Sequence, residues 1–372
     1  MNKRVAALLL AFSLLLLSGC SAMLERSYVS SAAHVDYSTT EDSSILRAET
    51  YQGLVNSILY FVNEHIYSGT IRLYNYTGDV ESDLSNACQE VLSRDPLGVY
   101  AVRSIDYDST RILTYYEVEL RISYSRSAAS VEAIQSVTGT SGLRQELARM
   151  ITALRSSTTV RASYFSGDVE SIESLFWLTY YSTPLSVYST PRVSVSLYPK
   201  SGNQRIVEIS VIWPATPITM EQRGRQVEEA IAQLMEAQPP AQDAYTFEEL
   251  VALFRSVTVY DPQGSSDILE TLSGTPANDL GLLLTMELLC QQTGLEATMV
   301  SGTDGASEPC FWLIIGTDTG YRHLLPQMLR PDNDPDAPPP ALFTDEALTR
   351  LGYLWPSQLY PACVDSSVFP AG

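Results

Sequence analysis

Histidine is scarce in this sequence: three residues in 372, at His34, His65 and His323. That excludes a histidine-rich metal centre. Cysteine is nearly as sparse, at Cys20, Cys88, Cys290, Cys310 and Cys363, and no two form a CxxC pair. No metal and no cofactor is expected from such a set. A Cys310–Cys363 disulfide stays open, because spacing does not decide it. Positive charge is also short, with 23 Lys and Arg against 43 Asp and Glu and a formal net charge of −20. Nucleic-acid binding is excluded on that balance, as is electrostatic docking on anionic lipid headgroups. The apolar run from Val5 to Leu17 is too short and too close to the N-terminus for a membrane span.

What stands around that run is informative. Lys3 and Arg4 precede it and "LSGC" at 17–20 ends it. A charged start, an apolar segment and small residues before a cysteine resemble the leader of bacterial lipoproteins. The resemblance implies cleavage after residue 19 and lipidation of Cys20, the chain's expected membrane contact. Two or three acyl chains hold a protein stably at a bilayer. The expected location is the outer face of the bacterial cytoplasmic membrane. Residues 20–44 are Ser/Thr-rich without apolar periodicity and read as a tether.

An internal repeat follows. "TIRLYNYTGDVES" at 70–82 matches "TVRASYFSGDVES" at 159–171, an offset of 89, and "PLGVY" at 96–100 matches "PLSVY" at 184–188. Each copy, about 45–125 and 142–214, reads helix, strand, helix, strand, strand. "YEVELRISY" and "RVSVSLY" alternate with period two, predicting sheets with one buried face. In the repeated "GDVES", Gly78 and Gly167 are expected to permit a tight turn, and Asp79 and Asp168 to cap the next helix. One Asp and one Glu per copy (Glu81, Glu170) are too few ligands for a metal loop. The repeated tyrosines Tyr74, Tyr76, Tyr100, Tyr164 and Tyr188 read as half-buried sheet positions, with a sugar-binding face as the alternative. An amphipathic helix at 219–237, opened by Thr219 and Gln222, closes a repeat domain expected at 45–237. "QPPAQDA" leads through a linker at 238–245 into a helix boxed by Thr246 and Glu249.

From residue 246 to 372 five stretches keep order and spacing. They are "SVTVYDPQGSSDILETL", "GTPANDLGLLLTMELLCQQTGL", "ATMVSG", "EPCFWLIIGTDTGYRHLLP" and "LFTDEALTRLGYLWPSQLYPAC". Together they resemble the transglutaminase-like, papain-related superfamily in its bacterial secreted form. The resemblance implies an α+β fold with a Cys–His–Asp triad: a thiolate at a helix start, a histidine two residues before a tryptophan, and an aspartate on the returning strand. Here those positions fall on Asp279, Cys310 (two before Trp312) and Leu325. None of these departures supports acyl transfer, so no catalytic residue is expected and the domain reads as an inactive member.

Two cysteines are candidates for a displaced nucleophile. Cys290 lies eleven positions after Asp279, about 16 Å further along a helix, and reads as a core residue. Cys310 with His323 is the better pair. If Asp318 centres the turn, however, Leu313 opposes His323 and Cys310 faces the other way; a one-residue slip reverses that. Asp332, Asp334 and Asp336 are followed by no sharp-turn glycine and no bidentate glutamate, so they do not make an EF-hand and read as a surface loop. The sequence therefore predicts an α+β chain of tandem helix/strand repeats followed by a degenerate transglutaminase-like domain. It is expected to bind or scaffold a peptide, a cell-wall component or a protein partner, with a cysteine-dependent acyl transferase or peptidase using Cys310 and His323 as the alternative.

Overall fold

The computed structural model describes residues 44–187, 190–242, 244–331 and 340–364. The leader, Cys20, the tether with His34, Tyr188 and the aspartates at 332, 334 and 336 lie outside the described residues. The chain is mixed α+β and forms two compact units divided after Glu132.

The first unit runs β1 (Ile45–Ala48), α1 (Tyr51–Asn63), β2 (Ser68–Tyr74), α2 (Val80–Ser93), α3 (Pro96–Ala101), β3 (Val102–Ile112), β4 (Tyr115–Tyr124) and α4 (Ala128–Glu132). Its sheet has the order β1-β2-β4-β3, parallel only between β1 and β2. Alternation sets the core: Ile71 and Leu73 of β2 and Val118, Leu120 and Ile122 of β4 are buried, while Glu119 and Arg121 between them stay in solvent. Leu54, Ile58 and Phe61 of α1 are buried at helical spacing. The Phe61 ring lies on Gly69, where a Cβ would stand 2.4 Å from it.

The second unit begins with the same plan: β5 (Gln135–Thr138), α5 (Gly139–Thr152), β6 (Ser157–Ser163), α6 (Val169–Tyr181), β7 (Arg192–Tyr198) and β8 (Gln204–Ile212). Its sheet order is β5-β6-β8-β7. Detail repeats as well as order. Tyr74 opposes Tyr115 in one sheet and Ser163 opposes Gln204 in the other, both at the offset of 89. The left-handed residues His65 and Asn75 are matched by Leu154 and Tyr164. Tyr124 donates its hydroxyl to the Ile66 carbonyl, and Trp213, 89 positions on, donates its indole N–H to the Arg155 carbonyl.

The unit continues through α7 (Pro217–Ala237), α8 (Phe247–Val257), β9 (Tyr260–Ser265), α9 (Ile268–Leu272) and α10 (Asp279–Thr293). It then forms an antiparallel sheet of β10 (Ala297–Thr303), β11 (Pro309–Thr317) and β12 (Gly320–Leu324), followed by α11 (Pro326–Leu329) and α12 (Asp345–Arg350). From Gly281 to Cys290 every residue of α10 is buried, so this helix is the centre of the core.

Several expectations are corrected. Each copy starts with an extra short strand, β1 or β5, too brief to show alternation. The left-handed turn is made at Asn75 and Tyr164, not at the glycines. Gly78 and Gly167 are instead places of close approach, where a Cβ would stand 2.1 Å from the Asp83 carboxylate and 2.7 Å from the Phe165 ring. Asp168 caps α6 by accepting from the Ser171 amide at 2.9 Å, whereas Asp79 makes no side-chain cap. α7 is capped by Thr216, not Thr219. The expected repeat domain at 45–237 does not hold together as one unit. Leu178, Val227 and Ile231 share a core with residues of 246–372, because α6 and α7 each turn an apolar face that way. The linker at 238–245 is tied down too: Tyr245 donates to the Met235 and Gln238 carbonyls, and the Ala241 amide donates to Glu249.

Candidate functional site

The start of α10 is built by a side-chain cap. Asn278 accepts from the Gly281 amide at 3.0 Å and donates to the Gly264 carbonyl at 3.0 Å. Gly281 is required by closeness, as a Cβ would lie 2.5 Å from the Ser265 carbonyl oxygen. Asp279 occupies the first helical position. Its carboxylate takes two hydrogen bonds from the Arg330 guanidinium, at 3.1 and 2.9 Å. That guanidinium lies 4.5 Å from the Tyr260 ring centroid. The helix terminus that would favour a thiolate holds a paired carboxylate instead.

The thiols are equally unsuited. Cys310 on β11 is opposite Gly302 and half-buried, and burial together with Asp304 pushes its thiol up to about 11. Burial holds Cys88 and Cys290 up to about 12, with Glu287 adding to the shift at Cys290. Cys363 is likewise at about 12, from burial and the Asp345 carboxylate. Cys310 and Cys363 are free thiols, so the disulfide left open by the sequence is not formed. A nucleophilic cysteine needs the opposite environment, electropositive and partly open. Leu325, where the sequence places the aspartate of the resembled family, is an aliphatic residue 1% exposed at the start of α11.

The β11–β12 turn corrects the expected register. Thr317 pairs with Gly320, so Ile314 and not Leu313 opposes His323. The slip brings Cys310 to the same sheet face as His323, yet leaves it four positions along β11 from Ile314, about 13 Å away by strand rise. Trp312 stands between. It donates its indole N–H to His323 Nδ1 at 3.0 Å, and His323 Nε2 meets Asp345 Oδ1 at 2.8 Å. Indole only donates, so Nδ1 carries the lone pair and Nε2 carries the proton. Both nitrogens are engaged, and neither is available to Cys310. The Cys310–His323 dyad is therefore not formed.

His323, Asp345 and Cys363 do gather, each with a ligand-type atom within 4.8 Å of the others. Sequence spacing gave no signal of this, because Asp345 reaches His323 only through the pairing of His323 with Phe343, at 2.9 Å in both directions. The cluster has the composition of a triad or a metal set and the geometry of neither. A cation on Nε2 would leave a proton on Nδ1, facing the Trp312 N–H, donor against donor. Asp345 Oδ2 already accepts from the Cys363 amide at 3.0 Å, and the Asp345 amide donates to the Cys363 carbonyl at 2.8 Å. Burial lowers the His323 pKa, and Asp345 only partly opposes it. The chain Trp312–His323–Asp345–Cys363 fastens the closing segment to the sheet.

The repeated tyrosines Tyr74, Tyr76 and Tyr100 of the first unit are each engaged or buried. Tyr74 is stacked on Tyr115 at 4.8 Å and lies beneath Arg47 at 4.3 Å. Tyr76 is bonded to Asp83, and Tyr100 is buried. Tyr164 alone of the four described is strongly exposed, at 63%. The second unit has open grooves. One of about 740 Å³ is polar, lined by Gln222 and Gln226 of α7, by Ser265 and Ser266, and by the Arg223–Asp267 pair at 2.6 Å.

No family model matches the chain, and no curated protein matches it. Among solved structures, one described as the crystal structure of a TGase is similar at 13% identity with a TM-score of 0.25. The match covers 53% of this chain and 57% of that one, so the chain spans little more than half of that structure's length. A superposition of that quality fixes neither chemistry nor ligand.

Proposed function

We propose that this chain is a lipid-anchored cell-envelope protein whose C-terminal region, 246–372, is a transglutaminase-like domain without catalysis, and that it binds or scaffolds a peptide, a cell-wall component or a protein partner. One observation supports the loss of chemistry above the rest. The helix-start position is a carboxylate held by Arg330, while the described histidine nearest a thiol spends both ring nitrogens on Trp312 and Asp345. Open grooves in the second unit, of about 740 and 380 Å³, support binding, since both fall in the size range of ligand sites. The leader pattern supports the anchor, with Cys20 as the lipidated residue.

Two experiments test the reading. Incorporation of a fluorescent amine into a glutamine-containing protein should not exceed the enzyme-free blank, and turnover above it contradicts the reading. Cys20→Ala should move the protein from the membrane fraction into the medium. Retention of that variant at the membrane contradicts the anchor.

A further inference from the structure

The second repeat copy leaves an opening beside α6. A groove of about 380 Å³ lies between Ser166–Gly167 with the first turns of α6 on one bank, and Ser301 of β10 with Pro356–Tyr360 on the other. That volume lies within the range of small-ligand sites. Among the described residues no Asp, Glu, Lys or Arg lines it, in a chain whose net charge is −20. Phe165, Leu175 and Leu178 supply apolar surface, and Ser171, Ser174 and Ser301 supply hydroxyl oxygens, that of Ser171 as an acceptor because its proton goes to Asp168 at 2.6 Å. The surface at its mouth is apolar too: Tyr164 is 63% exposed and Leu359 51%.

The repeat provides an internal comparison. Ser171, Ser174, Leu175 and Leu178 correspond, at the offset of 89, to Ser82, Ser85, Asn86 and Gln89. The serines are common to both copies, and the two amides of the first copy stand exposed. In the second copy those amides are leucines. Leu178 joins the core shared with 246–372. Had close packing been the whole purpose of the exchange, the interior would be filled to ordinary density. Instead an uncharged, hydroxyl-edged opening remains.

We propose that this groove binds an extended peptide through one uncharged apolar side chain, with the serine hydroxyls bonding the flanking backbone amides. The proposal deepens the binding reading above and rests on it. Charge selects the ligand, because an ionised group entering this groove would lose water while the nearest cations, Arg144 by Tyr360 and Arg205 on the Phe165 and Gly167 carbonyls, stand outside the lining. Hydroxyls on both banks select a peptide, since a lipid tail carries nothing for them to bond.

The test uses the full mature chain and ligand-observed NMR. The probes are N-acetyl-phenylalaninamide and N-acetyl-leucinamide, with the corresponding aspartate derivative as the charged control. Both apolar probes should show saturation transfer at low-millimolar concentration, and the aspartate probe should not. Ser174→Trp, at an exposed position, should fill the groove and weaken binding at least about tenfold. Leu359→Asp should do the same by placing a carboxylate at the mouth, whereas Ser85→Trp in the first copy should change nothing. No transfer to either apolar probe, equal transfer to the aspartate probe, or equal loss in Ser85→Trp would overturn the proposal. No cysteine lines the groove, so a failure here leaves the test of catalysis untouched.

Discussion

Glu287 is 1% exposed on α10, and burial raises its pKa to about 8, with the Met299 amide only partly opposing the shift. The sign follows from linkage. A carboxyl whose folded pKa lies above its unfolded value binds its proton more tightly when folded. The stability so gained is complete below the unfolded value of about 4.3 and is lost as pH rises through the folded value of about 8. Melting temperature should therefore decline across that window in the native chain, and Glu287→Gln should flatten the decline. An unchanged pH profile in the variant would contradict a protonated Glu287. The Asp279–Arg330 pair is a different case. Its side chains are 42% and 41% exposed, so solvent screens it. Arg330→Ala should cost under about 1 kcal/mol in denaturant unfolding. A larger loss would mean that the pair is a structural tie between α10 and the segment that carries Arg330.

At the scale of elements, the two copies of "GDVES" make a matched experiment. Asp168 accepts from the Ser171 amide and hydroxyl, at 2.9 and 2.6 Å, while Asp79 caps nothing with its side chain. Asp168→Ala should lower the melting temperature measurably and Asp79→Ala much less; equal losses would show that the difference in capping carries no energy. Elements also show what the sequence discloses. The capping box at Thr246 and Glu249, the alternation in β4 and the buried run of α10 were all legible, because each is written within a few neighbouring residues. The four-residue strands β1 and β5 were not, being too short for a period. The His323–Asp345 pair was not, because a two-residue turn sets its register and a distant bridge at Phe343 brings Asp345 in. One position of slip at the β11–β12 turn decided which face His323 shares with Cys310.

At the scale of the whole molecule, the division after Glu132 makes a prediction about fragments. Residues 133–372 should express as one cooperatively unfolding unit. Residues 246–372 alone should not, since the cut strips Leu178, Val227 and Ile231 from their shared core. A stable, monomeric 246–372 fragment with a sharp thermal transition would contradict that core. The repeat itself was legible from two matched blocks, but which copy joins the C-terminal region was not. That choice rests on single exchanges such as Gln89 against Leu178, whose meaning appears only when the partner surface is known.

The central claim is that this chain performs no cysteine chemistry, and thiol reactivity tests it most directly. The mature chain is treated with a small alkylating agent across pH, and each cysteine is followed by mass spectrometry. Cys88, Cys290, Cys310 and Cys363 should all label slowly at neutral pH, with Cys310, the half-buried one, first to respond as pH rises toward its value of about 11. Fast labelling of Cys310 or Cys363 at neutral pH, with an apparent pKa well below about 8.5, would contradict the account and identify a working nucleophile.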